Sequence, residues 1–222
     1  MLKSSLPLFS RLIALFTLTT AALFAGAVLA QQAIVPLSPP QPVENDGKIE
    51  VLEFFSYACP HCFNLDAPLS TWIKKQPADV KFRRVPVDGI NGYVGGVGLY
   101  YTLEAMGEID RMHSRIFDAF HVEHVNIANP AKLNQWLEKN GVDVKKFEEM
   151  KNSFSVMTKI QRALKMNTDY KVSSVPTMAV NGRFQVVPTP GQSQEQLLAS
   201  VEQVIQQSRT ATPAPAKTAA KK

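Results

Sequence analysis

Two cysteines three positions apart, Cys59 and Cys62, with Pro60 and His61 between them, are the residues in this chain best suited to chemistry. They are the only cysteines present. That count excludes a disulfide scaffold and a four-thiolate zinc site, and leaves one pair acting on its own. A dithiol of this spacing can close to a disulfide and open again. Two other readings stand beside that one. Half of a metal site would need further ligands, for which His113, His121 and His124 are the available histidines. An inert bridge would do little, because closing so short a loop removes little entropy from the unfolded chain.

The pair needs elements to hold it. Ile49 to Phe55 is a short, mostly apolar run that suits a strand buried on both faces, and a helix follows from about Pro60 to Lys75. A strand feeding a helix puts Cys59 at or next to the N-cap and Pro60 in the first helical position, where its missing N–H costs nothing. Cys62 then lies on the same face of the first turn, within disulfide reach. The unpaired amides of that turn and the helix dipole favour a thiolate at Cys59. Such end effects are worth about 0.3 to 2 kcal/mol, and a pKa unit is about 1.4 kcal/mol, so the dipole alone lowers Cys59 by about one unit. A larger drop needs a second source, and His61, as imidazolium, is the nearest candidate. Stabilising the reduced pair raises its reduction potential by ~30 mV for each ~1.4 kcal/mol, which makes the disulfide an oxidant. Glu53 lies in the same apolar strand. It is either an edge residue in water or a buried carboxyl near Cys62 that relays its proton.

Further along, Val80, Phe82, Val85 and Val87 predict a second strand ending before Asp88-Gly89. The crossover between the two strands is long enough to make them parallel neighbours. Pro176–Val180 and Phe184–Val187 read as a hairpin joined at Asn181-Gly182, which supplies positive φ angles. Val175-Pro176 opens it, a place where proline breaks no ladder bond. A helix follows with Leu197, Leu198, Val201, Val204 and Ile205 on one face. From about Tyr93 to Thr168 the pattern is helical: Ile116, Phe117 and Phe120 share a face, as do Leu133, Trp136 and Leu137. Asn129-Pro130 reads as a helix start and Gly141 as a stop. The expected architecture is α/β, with a β-α-β piece first, a β-β-α piece last, and a helical domain inserted between them. No internal repeat is visible.

The composition is that of an ordinary globular chain, 45% apolar and 19% charged over 222 residues. Its formal charge of +5 comes from the ends: between Glu44 and Glu202 there are 18 basic and 19 acidic residues. There is no case for a nucleic-acid partner. Residues 1–30 carry Lys3 and Arg11, an apolar run from Leu12 to Leu29, and small residues before a cut after Ala30, the pattern of a secretory signal peptide. An uncleaved membrane anchor is the competing reading, since the run approaches the ~20 residues that span a bilayer. Export would put the cysteines in a compartment where a disulfide persists. Residues 31–48, with Pro36, Pro39, Pro40 and Pro42, read as an extended, mobile lead-in. Residues 209–222, rich in Ala, Pro and Lys, read as a disordered basic tail that solubilises or adheres to anionic lipid.

The strand ending Glu53-Phe54-Phe55-Ser56-Tyr57-Ala58, the Cys59-Pro60-His61-Cys62 helix start, the helical insertion, Val175-Pro176 and Val180-Asn181-Gly182 together resemble the DsbA-type periplasmic thiol:disulfide oxidoreductases of Gram-negative bacteria. The resemblance covers roughly Ile49 to Gln207. It implies a thioredoxin fold in two parts, residues 49–92 and 169–208, around an inserted all-helical domain at 93–168. A depressed thiol pKa and an oxidising disulfide are established properties of that family, so the direction argued above agrees with them. Also implied are roles. Cys59 is the exposed nucleophile and Cys62 its buried partner; Pro60 and His61 tune the pair; Glu53 and Asp66 form the charged environment beneath it. Val175-Pro176 is a cis bond facing the disulfide, with the Val175 backbone pairing to extended substrate. The implied partners are reduced, unfolded exported polypeptides and a DsbB-like, quinone-linked inner-membrane reoxidant. The implied enzyme is a periplasmic monomer with no metal or other cofactor beyond the Cys59–Cys62 disulfide. A disulfide isomerase of the same fold and a metal- or peptide-binding chaperone are the rivals. Ala58 departs from the family pattern, where a bulky aromatic is familiar, and so does the basic tail.

Overall fold

From Glu50 to Phe55 every residue is buried, because this strand has a neighbour on each side and a helical layer on each face. In the computed structural model, which describes residues 33–44, 46–89 and 95–210, β2 (Ile49–Phe55) runs parallel to β3 (Val80–Pro86) through the crossover helix α1 (Pro60–Ile73). On its other side it runs antiparallel to β4 (Thr177–Val180), which turns into β5 (Phe184–Val187). β1 (Ala33–Pro36) pairs with β5 at the far edge, giving the order β1-β5-β4-β2-β3.

Alternation along β2 divides the core. Val51 packs with Leu65 and Leu69 of α1 and with Leu197, Val201 and Ile205 of α7 (Gln194–Thr210). Leu52 and Phe54 join the other cluster. Its helices are α2 (Gly96–Ala105), α3 (Ile109–His121), α4 (Pro130–Lys139), α5 (Val144–Met150) and α6 (Phe154–Asp169), all lying between β3 and β4 in the chain. Each of the last three begins on a side chain that accepts an orphan amide. Asn129 takes Lys132 N–H, Asp143 takes Lys146 N–H and Ser153 takes Val156 N–H. Gly141, at φ 73°, follows the end of α4. The α/β arrangement with a helical insertion is therefore the observed one.

The amino-terminal lead-in differs from expectation. Ala33–Pro36 is the fifth strand of the sheet, not a mobile approach to it. Beyond β1, Leu37 N–H donates to Arg183 O at 2.8 Å and Gln41 N–H to Gly182 O at 2.7 Å, so the segment is strapped along the hairpin turn. Prolines do not prevent this, because an edge strand can spare N–H groups. The turn itself is one residue longer than Asn181-Gly182 suggested: Val180 pairs with Phe184, leaving Asn181, Gly182 and Arg183 in the loop. At the other end, Arg209 belongs to α7 and holds Asp79 through two hydrogen bonds of 2.8 and 3.1 Å, so the predicted tail does not start there. The signal-peptide reading and residues 211–222 of the predicted tail lie outside the described residues.

Gly182 is fixed both by its φ of 62° and by space, since an added Cβ would fall 2.2 Å from the Gln41 carbonyl oxygen. Gly182→Ala is expected to destabilise the protein by about 2 kcal/mol or more, read by urea unfolding. Wild-type stability in that variant would show that the strap contributes nothing.

Candidate active site

The β2–β4 register pairs Phe54 with Thr177, so Val175-Pro176 lies just past the end of β2, where the chain turns into α1. Ser56 makes that turn: its carbonyl accepts Cys59 N–H at 3.1 Å and its hydroxyl accepts Ala58 N–H at 3.3 Å. Cys59 is the N-cap of α1, Pro60 is the first helical residue, and Cys59 O accepts Phe63 N–H at 3.0 Å. Val175-Pro176 is a cis peptide bond. Cys59 Sγ lies 3.3 Å from Val175 O.

The two sulfurs are unbonded and chemically unlike. The Cys62 thiol donates to Cys59, and this is the main reason that Cys59 falls from an ordinary 9.0 to about 6. Burial opposes the drop, while the amides of Cys62 and His61 and the charge of His61 assist it in that order. His61, the second source expected from the sequence, is thus the smallest of these contributors. Its exposed side chain lets water screen it. The Val175 carbonyl can accept from Cys59 only while that sulfur keeps its proton, so it works for the thiol. Burial pushes the Cys62 thiol strongly up, helped by its hydrogen bond to Cys59 and by the negative charges of Cys59 and Glu53. Cys62 is fully buried; Cys59 is only 4% accessible, not the exposed nucleophile the resemblance implied, because its sulfur sits under the Val175 carbonyl.

Glu53 is buried at 1% exposure rather than turned to water. It receives Arg84 Nε at 3.1 Å, the guanidinium reaching across the parallel register from the directly paired position on β3. Burial pushes its carboxyl up to about 7, with Arg84 opposing and the Asp66 charge assisting. Asp66 shares the same guanidinium at 3.4 Å and also accepts Ser114 Oγ–H at 2.5 Å. Burial would raise Asp66, but the neighbouring His113 first, then the Ser114 hydroxyl and the Arg84 charge, hold it below its ordinary value. Burial holds His113 below its usual value, with Asp66 opposing. His113 Nδ1 is hydrogen-bonded with the Tyr57 hydroxyl at 3.0 Å, and Nε2 faces Asp66 Oδ1 at 3.4 Å, off the line of a good hydrogen bond. His121 Nε2 donates to Tyr57 O at 2.8 Å, and its ring stacks on Phe63. Among the described residues no group of three or more His, Cys, Asp or Glu is placed to hold a metal ion.

The model of the DSBA-like thioredoxin domain family matches residues 50–202. The chain belongs to that family. The thiol:disulfide interchange protein DsbA of Bordetella parapertussis is 38% identical over 204 residues, 90% of this chain and 97% of the relative. That of Pseudomonas aeruginosa is 37% identical over 201 residues, 87% of this chain and 94% of the relative. The crystal structure of Pseudomonas aeruginosa DsbA superposes with a TM-score of 0.73 at 37% identity, covering 80% of this chain and 93% of that one. Xylella fastidiosa DsbA gives 0.72 at 30% identity, covering 83% and 99%. The fold is a thioredoxin fold with a helical insertion, and the chain is a disulfide oxidoreductase of the DsbA type.

The structure places Cys59, Pro60, His61, Val175 and Pro176 at the ends of β2 and β4 and the start of α1, with Glu53 and Asp66 beneath them, while His124 lies in a separate groove with Lys132 and Trp136. It adds Arg84, Tyr57 and Ser114, and brings His113 and His121, weighed above only as metal ligands, against Asp66 and Tyr57. Arg84 had a signal, a cation in an otherwise strand-like run. Ser114 had none, since it meets Asp66 only across 48 residues, and His113 and His121 meet Tyr57 across 56 and 64. Because Cys62 is the main donor to the Cys59 sulfur, Cys62→Ala is expected to raise the pH midpoint of Cys59 alkylation by about one unit or more. His61→Ala should move it less. The reverse ranking would make His61 the principal source.

Proposed function

We propose that the protein is a dithiol oxidase that passes its Cys59–Cys62 disulfide to reduced cysteines of newly exported, unfolded polypeptides. The observation that carries this reading is the inequality of the two sulfurs. A substrate thiolate attacks Cys59, the bond between the two cysteines breaks, and Cys62 leaves with the electron pair and takes the proton that Glu53 holds. A second substrate thiolate then attacks the mixed disulfide, and Cys59 leaves as the stabilised thiolate while the substrate disulfide forms. The substrate gives up two electrons and the Cys59–Cys62 pair gains them. A leaving group of low pKa makes the last step fast and the reduced enzyme stable.

Val175 and Pro176 border the pair and line a groove of about 370 Å3 with His61, Leu65, Pro188 and Leu197. An extended peptide laid there can pair with the Val175 backbone, a mode that asks for little side-chain specificity and suits varied unfolded substrates. Pro60 leaves the first turn's amides to the sulfur, and His61 adds its charge. The signal-like segment before Ala30 supports a periplasmic location with cleavage at that residue. Two electrons must then leave the dithiol after each cycle, and a DsbB-like, quinone-linked membrane protein is the partner we assign to that step.

The direction of the pKa shift sets a pH signature. A depressed folded value stabilises the reduced enzyme fully above pH 9.0, partly between 9.0 and 6, and not below 6. At pH 7 this is about tenfold, or ~30 mV, relative to the same pair with an ordinary thiol. Reduction takes up two protons below pH 6 but only one above it, because Cys62 stays protonated. Redox equilibration of the purified mature chain with glutathione, read by tryptophan fluorescence, is expected to show the potential falling by ~60 mV per pH unit below pH 6 and ~30 mV above it. An unbroken slope of ~60 mV to pH 8, or a potential as low as the about −270 mV of a cytosolic reductant, would contradict the assignment.

A further inference from the structure

Beneath the cysteines lies a charge imbalance. Arg84 is bonded to two buried carboxyl groups, Glu53 at 3.1 Å and Asp66 at 3.4 Å. Two ionised acids on one guanidinium leave a net negative charge out of water, which is costly, so near neutral pH one of them keeps a proton. Which one depends on their remaining donors. Among the described residues Glu53 receives only Arg84. The other groups facing it are Asp66 and Cys62 of α1 and Tyr100 of α2, while β4 sets the neutral Met178 opposite it. Asp66 has more help, since the Ser114 hydroxyl is 2.5 Å from its Oδ2 and His113 Nε2 is 3.4 Å from its Oδ1.

We propose that Ser114 of the helical insertion is a positioning residue for thiol–disulfide exchange: by fixing the negative charge on Asp66 it leaves the exchangeable proton on Glu53, beside Cys62. The insertion therefore does more than cover the sheet. Through one hydroxyl on α3 it sets the pH at which the acid under the active site gives or accepts a proton. The opposite shifts of the two carboxyl groups, Glu53 up and Asp66 down, agree with this division. Without the Ser114 hydroxyl, Asp66 is easier to protonate, Arg84 is released towards Glu53, and Glu53 ionises at lower pH.

The inference rests on the reading of Glu53 as the proton partner of Cys62, and one reaction tests both. In a preformed mixed disulfide of Cys59 with glutathione, the Cys62 thiol gives its proton to ionised Glu53 and attacks the Cys59 sulfur. The Cys59–Cys62 bond forms, the bond to glutathione breaks, and glutathione leaves as its thiolate. The rate of closure in the wild type is expected to rise through a midpoint near pH 7. Glu53→Gln should remove that limb. Ser114→Ala should lower its midpoint by about one pH unit, and Ser114→Thr, which keeps the hydroxyl, should restore it. A purely structural role for Ser114 would lower the melting temperature and leave the midpoint in place. A folded Ser114→Ala protein with an unmoved limb would overturn the inference, while loss of the limb in Glu53→Gln would show that the Glu53 reading survives. A limb that persists in Glu53→Gln would overturn both. If Ser114→Ala does not fold, Ser114→Cys, whose thiol is a weaker donor of similar size, gives the answer: a lowered midpoint supports the inference and an unmoved one overturns it.

Discussion

The start of α1 must hold a negative sulfur, and the rest of the molecule is arranged around that requirement. Cys59 occupies the N-cap, where a helix leaves amides without partners, and the Cys62 thiol one turn inside completes the set of donors. No side chain caps the helix in the ordinary way. Once ionised, Cys59 can accept from the amides of His61 and Cys62, so ionising the sulfur and satisfying the helix end become one interaction. Oxidation removes it, because a disulfide sulfur carries no charge for those donors to bind. Helix capping is thereby tied to the reduced state, which is the physical root of an oxidising disulfide.

Burial divides the labour between the two sulfurs. Cys62 lies in the core with Phe55, Tyr57 and Phe117, where a charge would be expensive, and it stays a donor. In the proposed exchange Glu53 is the acid within reach of that buried thiol, and a buried acid needs a counter-charge. Parallel pairing of β2 with β3 supplies it by setting Arg84 directly opposite Glu53. The antiparallel register with β4 then brings the Val175 carbonyl over Cys59, where it favours the thiol and limits how far the thiolate is stabilised. Both sheet neighbours of one strand thus act on the same two sulfur atoms.

Much of this was legible in the sequence, for reasons that differ from one element to the next. The buried strand, the helix opening on Pro60 and the hairpin at Asn181-Gly182 are local patterns, and local sterics decide them. The edge strand Ala33–Pro36 was not legible, since four prolines within Pro36–Pro42 mask a segment whose partner, β5, lies about 150 residues away and whose docking depends on the bare Cα of Gly182. At the site, residue types revealed the cysteines, Pro176 and Glu53. Electrostatic ranking was out of reach: adjacency suggested His61, whereas an exposed imidazole competes with water and a buried thiol does not. Ser114 looks like any polar residue of an amphipathic helix until α3 is packed against α1.

The account stands on the ionisation of one sulfur, and the most direct test is to titrate the thiolate ultraviolet absorbance of the reduced protein against pH, with the oxidised protein as blank. A single thiolate appearing with a midpoint near pH 6, with no second one through pH 9, is the expected result. A first midpoint near 9, or two thiolates appearing together, would contradict it.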